Sequence, residues 1–369
     1  MVASLLALGV MALGSAQGSA RFLDLPSPFG SESRVKITEN LDRLEIPKIA
    51  PKNPSWAYEW SASGFGQARP GGTFALRTVV YSQKPRGDHR LSVARLLMRL
   101  WEFNMNRFQT DNPSPCDGIV TVYLSFGGSA GGEQMFARDP QLLKLGGEND
   151  KVNTIYIYDI DTFKDPVQMV REIAHEYGHA THATIGGRQY LTDIGGFKEP
   201  EPWAAGYLGE RLFMRWLRDQ LRDGKLTPED TMGATLEQLD PWVKAYCDPL
   251  EDAVAKNGPD FATLRRDDAK GMDALIGLVL YMERFLTASE LRQTFYLNEQ
   301  RKAFTLPAAL LKAIEPKEEV SWTFPAAWKG RPIWVPAGPF KIAGSTESRN
   351  DWAKVTVPED GIVRLTKGK

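Results

Sequence analysis

Histidine and cysteine are scarce in this sequence: its 369 residues include four of the first and two of the second. Two cysteines, Cys116 and Cys247, cannot staple a disulfide-rich fold. In an oxidising compartment they allow one bridge between distant parts of the chain, and that bridge is expected here. A basic excess is also missing. The formal net charge is -1, which speaks against a nucleic-acid partner, since such proteins carry a positive surplus or stripe. No Asn-x-Ser/Thr acceptor has a permitted middle residue, so there is no handle for N-linked glycans. Only one apolar run stands apart, MVASLLALGVMALGSAQGSA at the N-terminus. It is too short to span a bilayer well, and no second span follows. It ends in small residues, with Gly18-Ser19-Ala20 as a cleavage site, and reads as a secretory signal over residues 1–20, although its first residues lack Lys and Arg. The expected product is a secreted chain beginning near Arg21, with no membrane attachment once the signal is removed.

What is present is a globular composition. Hydrophobic content of 42% against 25% charged residues excludes wholesale disorder. The length suggests two domains, or one larger body with an appendage. Residues 21–72 form a Pro- and Gly-rich N-terminal extension. In it VKITENLDRLEIP holds a short strand, while PKIAPKNPSW and ASGFGQARPGG read as turn and coil. Residues 73–187 read as an α/β unit: a strand at 73–82, a helix at 89–109, a strand at 117–128, the loop GGSAGGEQMFA, a strand at 151–160, then a second helix. In the first helix Leu91, Ala94, Leu97, Met98, Trp101 and Met105 recur at helical spacing. Residues 188–318 read as mostly helical, with helices at 202–224 and 273–288, a short one over LTPEDTMGATLEQL, and two more at ASELRQTFYLNEQ and TLPAALLKAI. Residues 319–369 break into β-like pieces, VSWTFP, RPIWVP, PFKIAG, KVTVP and IVRLT, which make a β-rich tail or appendage.

Three of the four histidines fall in one stretch, REIAHEYGHATHATIGG, residues 171–187. His175 and His179 are four residues apart and share one face of a helix. Two imidazoles so placed reach one zinc ion at about 2.0–2.1 Å. Glu176 adjoins the first of them and can lean over the same ion as general base, the metalloprotease arrangement. Small neighbours, Ala174, Gly178 and Ala180, leave room for metal and substrate. His182 shares the same face, but the helix carries it past the ion, so its role is open between a supporting contact, a substrate pocket and plain surface.

HEYGH, with an acidic residue beyond a loop, resembles the zincin metallopeptidases over about residues 73–310. The resemblance implies an α+β fold: a small twisted mixed sheet with an active-site helix, then a mostly helical subdomain, here followed by the β-rich tail. It also implies a third ligand from outside the motif. The metzincin pattern does not fit, because His182 stands where that subclass has glycine and no histidine occupies position 185. A gluzincin-like ligand from the following helix remains. Glu201, opening EPWAAGYLGE, is the first choice, with Glu199, Glu210 and Asp193 as alternatives. The carboxylate that many gluzincins place three or four residues later, to hold the first histidine, is replaced by Ala204 and Ala205, and Asp193 is a candidate for that task. Tyrosines from the helical half, Tyr207, Tyr246, Tyr281 and Tyr296, are candidates to stabilise an oxyanion, with Tyr207 and Tyr281 foremost.

The expectation is therefore a secreted, monomeric zinc peptidase acting on protein or peptide substrates, most simply an endopeptidase. An aminopeptidase, a glycoprotein-restricted peptidase and a non-catalytic binding protein on the same scaffold are the alternatives. The segment from YLSFGG to GGEQMF offers an edge strand on which a peptide would pair.

Overall fold

A computed structural model of the chain describes residues 20–26, 32–38, 44–45, 57–58, 60–67, 75–82, 89–108, 119–125, 130–138, 151–182, 196–198 and 204–368. Most of the signal, Cys116, Asp193, Glu199 and Glu201 lie outside the described residues.

The N-terminal part is built from strands β1 (Ala20–Pro26), β2 (Glu32–Thr38), β3 (Leu44–Glu45), β4 (Ala57–Tyr58), β5 (Trp60–Gln67) and β6 (Ala75–Ser82). Helix α1 (His89–Arg107), strands β7 (Ile119–Leu124), β8 (Gly131–Arg138) and β9 (Lys151–Tyr158), and helix α2 (Pro166–His182) follow. Seven strands make one sheet in the order β1-β2-β5-β6-β7-β9-β8, and β3 pairs with β4 separately. Strands β6, β7 and β9 are parallel; β8 runs antiparallel to β9 and forms the edge. Helix α1 lies against β2, β5 and β6, and α2 against β8 and β9.

Two stretches expected to be irregular are strands. WSASGFGQ is β5, paired along its length with β2 and β6. Its Gly64 and Gly66 lower strand propensity, but ladders on both sides supply the hydrogen bonds. GGEQMFAR is β8, whose glycines serve a close approach described below. The N-terminal extension therefore continues the sheet.

Helix α1 buries more than its expected stripe. Leu96, Leu100 and Phe103 are covered as well: the 3₁₀ turn Pro228–Thr231 packs on the helix, and Phe103 meets Phe213 at 5.6 Å and Trp216 at 5.4 Å. The charges caught there are paired: Arg99 bonds Asp230 at 2.9 Å and Glu102 at 3.0 Å. The described residues from Ala204 to Ile314 are mostly helical, in α3 (Ala205–Arg222), α4 (Leu236–Tyr246), α5 (Asp248–Asn257), α6 (Ala269–Phe285), α7 (Ala288–Leu297) and α8 (Leu306–Ile314). The short helix expected over LTPEDTMGATLEQL divides into the 3₁₀ turn and the start of α4. Helix α5 gives little sequence signal, since only Glu251, Val254 and Ala255 of its residues are buried.

The tail forms two three-stranded sheets, β10-β15-β12 and β11-β14-β13, from β10 (Glu319–Thr323), β11 (Pro332–Pro336), β12 (Phe340–Ile342), β13 (Glu347–Arg349), β14 (Trp352–Thr356) and β15 (Ile362–Lys367). It is packed into the helical half rather than appended to it: Trp322, Trp328, Trp334 and Trp352 are buried in the same apolar core as α6. No helix among the described residues is long and apolar enough to cross a membrane.

Cys247 is a buried free thiol between α4 and α5, its Sγ donating to the Arg211 carbonyl at 3.5 Å. Burial pushes it up to about 12. The expected bridge to Cys116 is therefore absent at Cys247.

Candidate metal centre

Helix α2 begins where the Asp165 carboxylate accepts the Val167 N–H at 2.9 Å, with Pro166 in its first turn. Val167, Val170, Ile173, Ala174, Tyr177 and Ala180 are buried, which fixes the helix's rotation and leaves His175 and His179 half-buried. The two rings lie 4.9 Å apart at 77°. His182 is the last residue of α2, and its side chain lies outside what the structure describes.

Helix α3 crosses α2 on glycine. A methyl group on Gly178 would stand 2.6 Å from the Ala205 carbonyl oxygen, and one on Gly209 would stand 2.4 Å from the Gly178 Cα. At Gly206 the added carbon would lie 2.4 Å from His179 Nε2 and 2.6 Å from His175 Nε2. Both nitrogens thus converge on the same side-chain-free face of Gly206, as two imidazole ligands of one zinc ion must converge. The place of the added carbon is one covalent bond from the Gly206 Cα, so no ion sits on it; the missing side chain instead lets both rings close on this face of α3, a cradle beside which one zinc ion would meet both nitrogens.

The other face of His175 is held as well. Its Nδ1 is 3.0 Å from Oε2 of Glu210, a carboxylate buried to 1% exposure. With Nδ1 protonated, it donates to Glu210 and leaves the Nε2 lone pair pointing at the cradle, the support that metal-binding histidines usually have. Glu210 is thus not the third ligand that it could have been on sequence grounds. It stands where the supporting acceptor, the task for which Asp193 was a candidate, would stand. Among the described residues no three His, Cys, Asp or Glu side chains stand together as a metal-binding group. The first choice, Glu201, and Glu199 and Asp193 lie outside them.

Glu176 is buried against the edge strand. A methyl on Gly132 of β8 would lie 2.6 Å from its Cγ and 2.8 Å from its Oε1, so only glycine lets β8 run this close. One turn earlier on α2, Glu172 reaches the same strand, 3.0 Å from that point. Tyr158 donates to Glu133 of β8 at 2.9 Å. Burial first, and then the Glu133 and Glu176 carboxylates, push its phenol well above the usual range.

The two foremost tyrosines separate cleanly. Tyr207 stands edge-on to His175, ring centroids 4.8 Å apart at 88°. Tyr281 is fully buried, stacked on Trp328 at 5.8 Å, and its hydroxyl donates to the Trp334 carbonyl at 2.6 Å. That bond commits it to the junction between α6 and the tail, so Tyr281 is a packing residue and not an oxyanion donor. Tyr246 and Tyr296 are exposed.

Sequence reasoning missed Gly206, Glu210 as a support, and Gly132. Gly206 and Glu210 are four residues apart and share a helical face, which was a readable signal. A cavity of about 490 Å³ between α3, α6 and the tail is no competing centre. Its Arg107, Arg215, Asp219, Glu283 and Arg284 are committed to one another in ion pairs.

A scan against protein-family models gives no match for this chain, and a search of curated proteins gives none either.

Proposed function

We propose that the chain is a secreted zincin-like metallopeptidase, gluzincin-like in its ligands, that hydrolyses peptide bonds as an endopeptidase. One observation carries this reading: His175 and His179 aim both Nε2 atoms at the cradle of Gly206, with Glu210 behind the first ring. The mixed sheet with an antiparallel edge strand beside the HEYGH helix, followed by a helical half, supports it.

His175 and His179 would hold the zinc ion, with Glu201, just ahead of α3, as the proposed third ligand. Bound zinc supplies Lewis acidity to the attacking water and the scissile carbonyl. Glu176 takes the proton of that water and delivers it to the leaving amine. Strand β8, which pairs only with β9 among the described strands, offers its outer edge to an extended peptide that would pass beside Glu176. Tyr207, whose ring stands edge-on to His175, would donate to a developing oxyanion.

Two measurements test this. Purified protein is expected to hold about one zinc per chain and to lose it in His179→Ala; full retention in that variant rejects the site. Glu176→Gln is expected to keep zinc and to cleave a mixed peptide library at least about a hundredfold more slowly. Equal cleavage by both forms, or by neither, rejects the peptidase reading. Zinc without cleavage would point to the binding-protein alternative.

A further inference from the structure

The Glu210 carboxylate is buried beside a histidine that carries no fixed charge, so something else must compensate it. The compensation comes from the next residue. Arg211 Nη1 bonds Glu210 Oε1, while Oε2 faces His175 Nδ1 at 3.0 Å. Arg171 is a lesser partner: its Nη1 is 3.8 Å from Oε2, and its Nη2 is shared with Glu172 at 3.2 Å.

Consecutive helical residues point about 100° apart, so a guanidinium at 211 must fold back to reach the carboxylate at 210. An aromatic box makes it do so. The Arg211 guanidinium carbon lies 4.9 Å from the Trp242 ring, 5.2 Å from Tyr246 and 5.7 Å from Tyr207. Trp242 and Tyr246 come from α4 and pack on each other at 5.1 Å. Tyr207 belongs to α3 and also stands edge-on to His175. A flat guanidinium can lie among three rings and still aim one N–H at a carboxylate; an ammonium cannot do both.

We propose that Arg211 is a positioning residue for the metal centre. Held in the box of Tyr207, Trp242 and Tyr246, it keeps the Glu210 carboxylate on the Nδ1–H of His175, so that Nε2 of that ring faces Gly206. In its use for zinc the inference rests on the reading above; in its effect on the His175 ring it does not.

The test uses the full secreted chain, metal-free, with three readouts on wild type, Arg211→Met, Arg211→Lys and Trp242→Leu. They are the His175 tautomer from imidazole ¹⁵N shifts, zinc affinity by chelator competition, and the thermal midpoint. Wild type is expected to show His175 as the Nδ1–H tautomer. Arg211→Met is expected to give mixed tautomers and a 10–100-fold loss of zinc affinity, the range of other outer contacts to metal ligands. Arg211→Lys is expected to restore less than half of that loss, and Trp242→Leu to reproduce part of it. If Arg211→Met does not fold, Arg211→Lys and Trp242→Leu carry the decision on the same readouts. Variants that lower the midpoint while tautomer and zinc affinity stay within threefold of wild type overturn the proposal, because the contact is then merely structural. If wild type binds no zinc but its tautomer responds to Arg211, the positioning role stands and the metallopeptidase reading falls. If zinc binds and the tautomer does not respond, the reverse holds.

Discussion

Where α3 crosses α2, the contact is made by Gly178, Gly206 and Gly209; where α6 meets the C-terminal strands, it is made by rings. Tyr281 stacks on Trp328, and Phe285 packs on Trp322 at 4.9 Å and on Phe324 at 5.0 Å. The first junction gives up side-chain burial to bring backbone and imidazoles together. The second gathers apolar area and closes the Tyr281 hydroxyl on the Trp334 carbonyl. Proximity and stability are thus assigned to different junctions of one core, and each should fail in its own way.

Tyr281→Ala should show the largest effect. Emptying a fully buried aromatic site costs about 3–5 kcal/mol, read as a lower urea midpoint, while zinc stoichiometry of the folded fraction stays that of wild type. A loss of zinc in parallel would erase the distinction between the junctions. Gly206→Val should do the opposite. Its side chain would displace both imidazoles, so zinc affinity should fall more than about a hundredfold, beyond the usual range for outer contacts. Destabilisation should be about 1–3 kcal/mol from overpacking. Unchanged zinc affinity in that variant would show that binding does not depend on the two rings closing against Gly206.

The smallest effect concerns acid. Burial alone would push Asp219 up, but Arg284, Arg218 and Arg215 together hold it below the usual carboxylate range. A carboxyl lowered on folding contributes stability that is fully present above its unfolded value, near ~3.9, and is lost as pH falls through the lowered value. The ring-built junction, beside which Asp219 bonds Arg284 at 2.7 Å, should weaken in that window. Asp219→Asn should flatten the fall of the urea midpoint between pH 5 and 2. An identical slope in wild type and variant would remove Asp219 from the account.

The two junctions also differed in how far the sequence announced them. Helices α1, α2, α3, α6, α7 and α8 and most tail strands follow from apolar periodicity and from Pro and Gly punctuation. The pair His175 and His179 followed from helical spacing alone. What escaped was whatever depends on a partner elsewhere in the chain. β5 and β8 read as loop because glycine lowers strand propensity, whereas β5 needs neighbours on both sides and β8 needs Gly132 to clear Glu176. The carboxylate behind His175 was sought three or four residues after Glu201, where alanines stand. The phase that counts runs from Gly206 to Glu210, and only the crossing of α3 over α2 sets it. Tyr281 had the same composition-level credentials as Tyr207; only the strand bearing Trp334 separates them.

Gly206 lets both imidazoles close on α3, and Glu210 braces one of them, within a single turn of that helix. Insertion or deletion of one residue between them would rotate one away from the other by about 100°. Of the intervening residues, Gly209 is itself fixed by its contact with the Gly178 backbone, and their number cannot change. To an engineer, this turn of α3 is a cassette of fixed length: it is grafted whole, and it accepts no spacer.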